Sequence, residues 1–389
     1  MKPFRFARLP VIYFGSGEIS KLPGIVSEFG MSVLLVTGAR SFMDSRRSGL
    51  LLDRFESSGI RFQHVTVANE PSPETVDRTV TKFRGTNTDV VISIGGGSVI
   101  DAGKAISAML DKAGSVREYL EVVGDRDHPG TKVPFIAVPT TSGTGSEATK
   151  NAVISQVGKS GFKRSLRHDN LVPDAAIVDP ELTLDCPPEI TAAAGMDCFT
   201  QLTEAYLSTK SNEYTDALAL EGIKAIKRSL VRSYTNGDDT EARSDMSFAA
   251  LTSGICLANA GLGAVHGLAG TVGAIYDIPH GVACGTLMAV ANEITVRELR
   301  RVSRVHPSLK KYAVLGRLFS VSKGKDDDYH IDSFISYLHE ITDTLDLPRF
   351  ADYGIGPEDL AVISSTSDVK NNPAELSADI RSEILARRL

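Results

Sequence analysis

Short apolar stretches rich in β-branched residues alternate with helical patterns through the first 185 residues, and this alternation constrains the fold more than any other feature. Strands are predicted at residues 33–38, 61–67, 89–97, 134–141 and 175–183. Helical patterns lie between them at residues 74–85 and 99–111. Such alternation predicts a doubly wound, largely parallel α/β sheet with ligand sites at the carboxyl ends of its strands.

Beyond residue 185 the pattern changes to long helical stretches rich in Ala, Leu and Gly, with hardly a strand signal. The change coincides with two adjacent prolines, Pro187 and Pro188, and the last helical pattern covers residues 377–389. A chain of 389 residues is long enough for two cores, because single cores stop growing at roughly 250–300 residues. The sequence therefore predicts an α/β domain at residues 1–185 and an all-helical domain at residues 186–389.

The charge is modest and evenly spread: 42 basic and 48 acidic residues give a net charge of −6, without a long block of one sign. Nucleic-acid surfaces and polybasic membrane surfaces need such blocks, so a small-molecule partner is the better expectation. The four cysteines form no CxxC pair, which is typical of reduced thiols in a cytoplasmic protein. The N-terminal residues lack the apolar stretch of a signal peptide.

Residues 246–276 contain no Asp, Glu, Lys or Arg, and this run exceeds the roughly 20 residues that span a bilayer. The segment nevertheless contains six glycines, many Ala and Ser residues, and His266. This composition favours a helix packed tightly inside the protein, where small side chains let backbones approach, and no membrane span is expected.

Gly95, Gly96, Gly97 and Ser98 join the predicted strand at residues 89–97 to the following helix. Glycines let the backbone approach a diphosphate closely, and the N–H groups at the helix start supply donors and a positive dipole end. The loop matches neither the G-x-G-x-x-G fingerprint nor the P-loop, whose lysine is not in place. The sequence predicts a phosphate-binding loop, and a turn that merely needs glycine is the alternative.

A second loop of small residues, VPTTSGTGSEAT at residues 138–149, follows the next strand. Its hydroxyl groups could bind ribose hydroxyls and phosphate oxygens, and they belong to Thr140, Thr141, Ser142, Thr144 and Ser146. Two such loops at adjacent strand ends favour a dinucleotide site over two unrelated turns.

Asp197 and Gln201 lie four residues apart in a helical pattern, so both occupy one face of the helix, as a pair of metal ligands requires. His266 and His280 add two imidazoles. Two imidazoles and a carboxylate suit Fe²⁺ or Zn²⁺ and leave a position open for a substrate oxygen. Gln is a poor ligand, however, and a single histidine in such a helix is more commonly part of the core.

Taken together, the chain resembles the iron-containing (group III) alcohol dehydrogenase family, which groups with glycerol dehydrogenases and, more distantly, dehydroquinate synthase. The resemblance covers nearly the whole chain and rests on GGGSVIDAGKA, VPTTSGTGSEAT, PDAAIVDPELT, AAGMDCFTQLTEAYLS, NAGLGAVHGLAG, IPHGVACGTLMA and NNPAELS. It implies a nucleotide-binding α/β domain, a helical domain that carries the metal, and an active site in the cleft between them. It also implies nicotinamide-dependent interconversion of an alcohol and a carbonyl compound, in a homodimer or larger assembly.

The resemblance further implies roles for single residues. Residues 95–98 would hold the pyrophosphate, with Asp101 and Lys104 supporting that loop, and Lys163 would reach toward the nicotinamide. The residues facing the cofactor would be Thr140, Thr141 and Thr144. The family's metal-ligand positions are occupied by Asp197, Gln201, His266 and His280.

Two positions depart from the family pattern, because the histidines expected four residues after Asp197 and after His266 are Gln201 and Gly270. Gln201 could bind the ion through its amide oxygen, or hold a metal-bound water. Alternatively, the protein is a metal-independent carbonyl reductase of the maleylacetate-reductase type, or an inactive nucleotide-binding relative. A synthase of the dehydroquinate type is disfavoured, since its basic residues for the substrate phosphate find no counterparts.

The residues after the strand at 33–38 bear on cofactor choice. An acidic residue there would bind the adenosine ribose hydroxyls and repel a 2′-phosphate, whereas small and basic residues accept the phosphate. The chain has Gly38, Ala39, Arg40 and Ser41, and no carboxylate before Asp44. NADP(H) is therefore expected to be preferred over NAD(H), with a small primary alcohol or its aldehyde as substrate and aldehyde reduction as the favoured direction.

Overall fold

The computed structural model describes residues 3–322, 324–369 and 371–389. In these residues the chain forms eight β-strands and thirteen α-helices. The strands are β1 (Val11–Phe14), β2 (Ser32–Gly38), β3 (Arg61–Val67), β4 (Val90–Gly95), β5 (Phe135–Pro139), β6 (Asn151–Gln156), β7 (Phe162–Arg167) and β8 (Ala175–Val178). The helices are α1 (Leu22–Ser27), α2 (Arg46–Ser57), α3 (Pro73–Phe83), α4 (Gly97–Met109), α5 (Pro188–Leu207), α6 (Glu213–Thr235), α7 (Thr240–Ala260), α8 (Ala264–Ile275), α9 (His280–Val302), α10 (Pro307–Phe319), α11 (Asp327–Thr344), α12 (Leu360–Thr366) and α13 (Ala378–Ala386).

Six strands form one parallel sheet in the order β1-β8-β5-β4-β2-β3. Its central strands are continuous apolar runs because helices cover both faces. Leu34, Val36 and Val91 pack toward α3 and α4 on one face. Val33 and Ile92 pack toward α1 and α2 on the other. The predicted doubly wound sheet is thereby confirmed.

Three strand ends differ from the prediction, and one of them is that of the strand predicted at residues 134–141, which ends at Pro139. The strand predicted at residues 175–183 ends at Val178, because the Asp179 carboxylate accepts the Glu181 N–H at 3.1 Å and starts a 3-10 turn at Pro180–Thr183. The strand predicted at residues 89–97 ends at Gly95, since Gly97 already begins α4. Two further features were not predicted: the short edge strand β1, and the antiparallel hairpin of β6 and β7.

The second half is helical, as predicted: among its described residues no strand follows β8. Helix α5 lies at the centre of this half and contacts α6, α7 and α9 around a large apolar core. The last helix, α13, falls inside the predicted helical pattern at residues 377–389. The domain boundary near residue 185 remains a prediction.

The uncharged segment at residues 246–276 forms most of α7 and α8, which meet at an angle of 99°. Within the described residues no single helix is long and apolar enough to cross a membrane, and only this bent pair meets the criterion by length and composition. Its small side chains serve close packing: a Cβ on Gly254 of α7 would lie 2.1 Å from the carbonyl oxygen of Gly145. The loop after β5 therefore rests directly on α7.

Candidate active site

The two glycine-rich loops lie side by side, because β4 and β5 are neighbours in the sheet. The Thr140 N–H donates to the Gly95 carbonyl at 3.0 Å, which fastens one loop to the other. A Cβ on Gly97 would lie 2.7 Å from the Thr144 side chain, so glycine is required where the loops touch. The backbone at the start of α4 is thus exposed to a groove rather than covered by side chains.

That groove has a volume of about 980 Å³ and runs from the end of β2 to the start of α9. Its lining includes most of the predicted cofactor-binding residues: Gly38, Ser41, Gly96, Gly97, Ser98, Thr141 and Thr144. Thr140 lines an adjoining cavity of about 220 Å³ together with Ser41 and Thr141. The Arg40 side chain is exposed beside the groove and is not part of its lining.

Lys104 and Asp101 lie beneath the loops. The Lys104 ammonium group is fully buried and donates to the carbonyls of Ser146 and Asn151, both at 2.8 Å. Asp101 accepts the Val153 N–H at 2.9 Å. Both side chains therefore tie α4 to the second loop and to β6, an arrangement that fits the expected supporting role.

Three helices bring the predicted metal ligands together. Asp197 of α5 is buried, and its Oδ1 lies 3.2 Å from Nε2 of His266 in α8 and 3.9 Å from Nε2 of His280, the first residue of α9. Burial alone would raise the pKa of Asp197, but the adjacent imidazoles hold it below its ordinary value. Burial and the positive charge of Lys163 lower the pKa of His280 to about 4, so His280 is neutral and able to bind a cation.

The sequence analysis missed Glu204, which holds His266 in place. Its Oε2 lies 2.7 Å from Nδ1 of His266, and its Oε1 accepts the Val265 N–H at 2.6 Å. A carboxylate on the far nitrogen of a ligating histidine fixes the ring and its tautomer. The spacing of Asp197, Gln201 and Glu204, at i, i+4 and i+7 on α5, carried the signal for a shared helix face.

Gln201 faces the same cavity as Asp197, His266 and His280. Its amide N–H donates to the Thr144 carbonyl at 3.1 Å, while its Oε1 is buried without a hydrogen-bond partner among the described residues. A buried acceptor oxygen destabilises the folded state unless it accepts a hydrogen bond or binds a cation. The unpaired oxygen and the two buried carboxylates, Asp197 and Glu204, fit a bound cation.

Cys284 was also missed. It lies one turn after His280 on α9, and its Sγ is 3.6 Å from Nε2 of His280. The donor atoms of Asp197, His266, His280 and Cys284 all lie within 4.8 Å of one another. The signal in the sequence was again an i, i+4 pair on a helix.

Lys163 reaches the site from the β6–β7 hairpin. Its Nζ lies 2.5 Å from Oε1 of Glu70, whose Oε2 accepts the Ser155 hydroxyl at 2.7 Å. Lys163 and Glu70 border a cavity of about 250 Å³ that also contains the metal-ligand candidates and Gly270. A Cβ at Gly270 would meet no atom within 4 Å, so the space of the missing family histidine is open.

A long groove that carries a glycine-rich loop and ends at Asp197 and His280, beside His266, is typical of nicotinamide-dependent oxidoreductases, and the comparisons with known proteins agree. The family profile described as "Iron-containing alcohol dehydrogenase" matches residues 10–180, and that of the "Fe-containing alcohol dehydrogenase family, C-terminal" matches residues 191–388. The chain belongs to the iron-containing alcohol dehydrogenase family. Membership implies a nicotinamide cofactor, iron and a small-molecule substrate.

Several characterised proteins are similar to this chain over most of its length. The NADPH-dependent butanol dehydrogenase of Clostridium saccharobutylicum is 31% identical over 353 residues, 90% of this chain and 87% of the relative. The NAD-dependent methanol dehydrogenase of Bacillus methanolicus is 37% identical over 274 residues, 70% and 71% of the two chains. The crystal structure of a 1,3-propanediol oxidoreductase superposes with a TM-score of 0.89 at 25% identity, covering 100% of both chains. The predicted family and fold are thus confirmed.

Proposed function

We propose that this protein is a metal-dependent NAD(P)H oxidoreductase that interconverts a small primary alcohol and its aldehyde by hydride transfer, and that it favours aldehyde reduction. One observation carries the proposal: a single groove is lined by the phosphate loop at Gly96, Gly97 and Ser98 and, farther along, by Asp197 and His280. A nicotinamide ring bound along this groove would reach the candidate metal ligands.

Asp197, His266 and His280 would bind the ion, Fe²⁺ or Zn²⁺, with Gln201 either adding its free amide oxygen or accepting a hydrogen bond from a bound water. The ion would supply Lewis-acid stabilisation of the substrate oxygen. Glu204 would orient His266, and Lys163, paired with Glu70, would border the nicotinamide end of the groove. Because position 270 holds glycine, protons would leave through water or the ribose hydroxyls.

The cavity of about 250 Å³ beside these residues suits a small substrate. Leu257 and Leu262 offer it apolar contact, whereas Thr149, Asn151 and Ser165 offer polar groups. This mixed lining supports a short primary alcohol or aldehyde. We also propose that the protein is cytoplasmic and forms a homodimer or larger homo-oligomer. Light scattering can test the oligomeric state.

The preference for NADP(H) over NAD(H) rests on the end of β2, where Gly38 and Ser41 line the groove and supply no carboxylate. A Cβ at Gly38 would lie 3.7 Å from its nearest neighbours, Ser41 and Val99, so a side chain is tolerated there. One relative is NADPH-dependent and another NAD-dependent, so both cofactors occur among the proteins this chain resembles.

The test is NADPH and NADH oxidation with a panel of short aldehydes. The wild-type protein should reduce at least one aldehyde, with the higher kcat/KM for NADPH. Gly38→Asp should lower kcat/KM for NADPH by at least about tenfold, because the carboxylate repels the 2′-phosphate. The kcat/KM for NADH should not change. Gly38→Asn has a side chain of equal size but no charge, so it is the matched control and should keep the wild-type kcat/KM for NADPH. Equal losses in both variants would contradict the cofactor assignment, and no turnover of any aldehyde would contradict the proposed function.

A further inference from the structure

The chain lacks the histidine that its family places at position 201. A cysteine, Cys284, instead lies in the same cluster. Cys284 is fully buried on α9, and its Sγ is 3.6 Å from Nε2 of His280. Cys186, Cys198 and Cys256 do not belong to this cluster. Of the four cluster members, Asp197, His266 and His280 border the small cavity, whereas Cys284 does not.

The distances in the cluster match a metal-binding arrangement. Around a tetrahedral zinc ion, with nitrogen and oxygen at about 2.0–2.2 Å and sulfur at about 2.3 Å, neighbouring ligand atoms lie about 3.3–3.8 Å apart. The corresponding distances are 3.2 Å for His266 to Asp197, 3.9 Å for His280 to Asp197 and 3.6 Å for His280 to Cys284. The sulfur thus lies at ligand spacing from His280 and within 4.8 Å of the donor atoms of Asp197 and His266.

Resting on the metal site of the proposed function, we propose that Cys284 is a protein ligand of the ion, so that the site is Asp–His–His–Cys and selects zinc over iron. The thiol would bind as a thiolate and release its proton to solvent. Thiolate sulfur favours zinc over ions that prefer oxygen and nitrogen donors. The sulfur approaches from the buried side, so a substrate oxygen would add from the cavity side as a fifth ligand.

This assignment also explains the tolerance of glutamine at position 201. With Cys284 supplying the fourth ligand, Gln201 need not bind the ion and keeps its amide N–H on the Thr144 carbonyl. Its free Oε1 is then an acceptor beside the cavity, suited to the hydroxyl of an alcohol substrate.

The test is X-ray absorption at the zinc edge of the full-length protein loaded with one equivalent of zinc. The wild-type spectrum should require one sulfur at about 2.3 Å. Cys284→Ser should lose that sulfur and bind zinc at least about a hundredfold more weakly. Loss of a residue that only supports a ligand already lowers metal affinity by about 10- to 100-fold, and loss of a ligand should lower it at least as much. Cys256→Ser, at a buried cysteine whose Sγ contacts the Thr215 carbonyl, is the control and should keep the sulfur.

The wild-type spectrum tests whether a cysteine binds the ion even if Cys284→Ser fails to fold. Bound zinc without a sulfur neighbour would overturn the role of Cys284 and leave the proposed function standing. A sulfur that persists in folded Cys284→Ser would also overturn it. Failure of the wild-type protein to bind zinc or iron at all would overturn the proposed metal-dependent function together with this inference.

Discussion

At the scale of single residues, the candidate site depends on groups that do not bind the ion themselves. Glu204 accepts the Val265 N–H and contacts the far nitrogen of His266, so it sets both the backbone at the start of α8 and the ring orientation. The negative charge also makes the imidazole a stronger donor. In the proposed site the donor strength of His266 would therefore depend on two side chains.

Glu204→Gln should raise the dissociation constant of the metal by about 10- to 100-fold, because the neutral amide no longer supports His266. Competition with a chromogenic chelator measures the change, and circular dichroism checks the fold. Glu293→Gln is the matched control, since that carboxylate binds Arg387 and His339 away from the metal cluster. Equal metal affinity in the wild type and in Glu204→Gln would contradict the role of Glu204.

Glu147 gives a pH prediction. Burial raises its pKa from the ordinary 4.5 to about 7, although the charge of Lys104 opposes this. Between these two pH values the folded state holds a proton that the unfolded state has lost, so the free energy of unfolding falls as pH rises. The full effect is about 3 kcal/mol. Urea denaturation from pH 4.5 to 7.5 should therefore show a shallower decline in Glu147→Gln than in the wild type, and parallel profiles would contradict this.

At the scale of elements, the second glycine-rich loop connects the groove to helices α5 and α7 of the second half. The Gln201 amide donates to the Thr144 carbonyl, and Gly145 packs directly against Gly254 of α7. Gly145 has a φ of +63°, a conformation that glycine adopts readily. Displacement of α7 would therefore move the surface that receives the cofactor.

Gly254→Ala should destabilise the protein by about 1–3 kcal/mol, because its Cβ collides with the Gly145 carbonyl. The same variant should weaken NADPH binding, measured by fluorescence titration. Gly49→Ala is the control: Gly49 lies exposed in α2 with nothing within 4 Å of a Cβ, so that variant should be up to about 1 kcal/mol more stable. Unchanged stability and affinity in Gly254→Ala would contradict the described contact.

The buried strands were predictable because β2, β4 and β5 are continuous apolar runs bounded by turn residues. The β6–β7 hairpin was not, since β7 carries Lys163, Arg164 and Arg167, and its stability comes from packing on other elements rather than from its own pattern. Edge strand β1 has only four residues and gives little periodicity. Both elements were missed because their own sequence patterns are weak and packing against other elements stabilises them.

Residue type and the family resemblance pointed to Asp197, His266 and His280, and the fold brings these side chains together, while their role as ligands stays a prediction. Glu204 and Cys284 were missed because their roles depend on which helix faces meet, and α5, α8 and α9 come together only through the fold. Glu70 was missed for the same reason: it follows β3, far in sequence from Lys163. Helix spacing shows which side chains share a face, whereas only the fold shows which faces meet.

At the scale of the whole molecule, the groove draws its walls from both halves of the chain. Gly38, Ser98 and Thr144 come from the first half, and Ala193, Asp197 and His280 from the second. Cofactor and metal are therefore expected to bind at one continuous surface, and the reaction requires both halves in their described arrangement. We propose that the cluster at the end of this groove holds an ion on which the reaction depends.

The most direct test is NADPH-dependent aldehyde reduction by protein stripped with a chelator and by the same protein reloaded anaerobically with iron(II) or zinc. Activity should be lost on stripping and return on reloading, whereas Asp197→Asn should stay inactive after reloading because it lacks the negative charge of the proposed ligand. Full activity in stripped protein would contradict this proposal. Hydrogen bonds alone would then polarise the carbonyl, as in a metal-independent reductase.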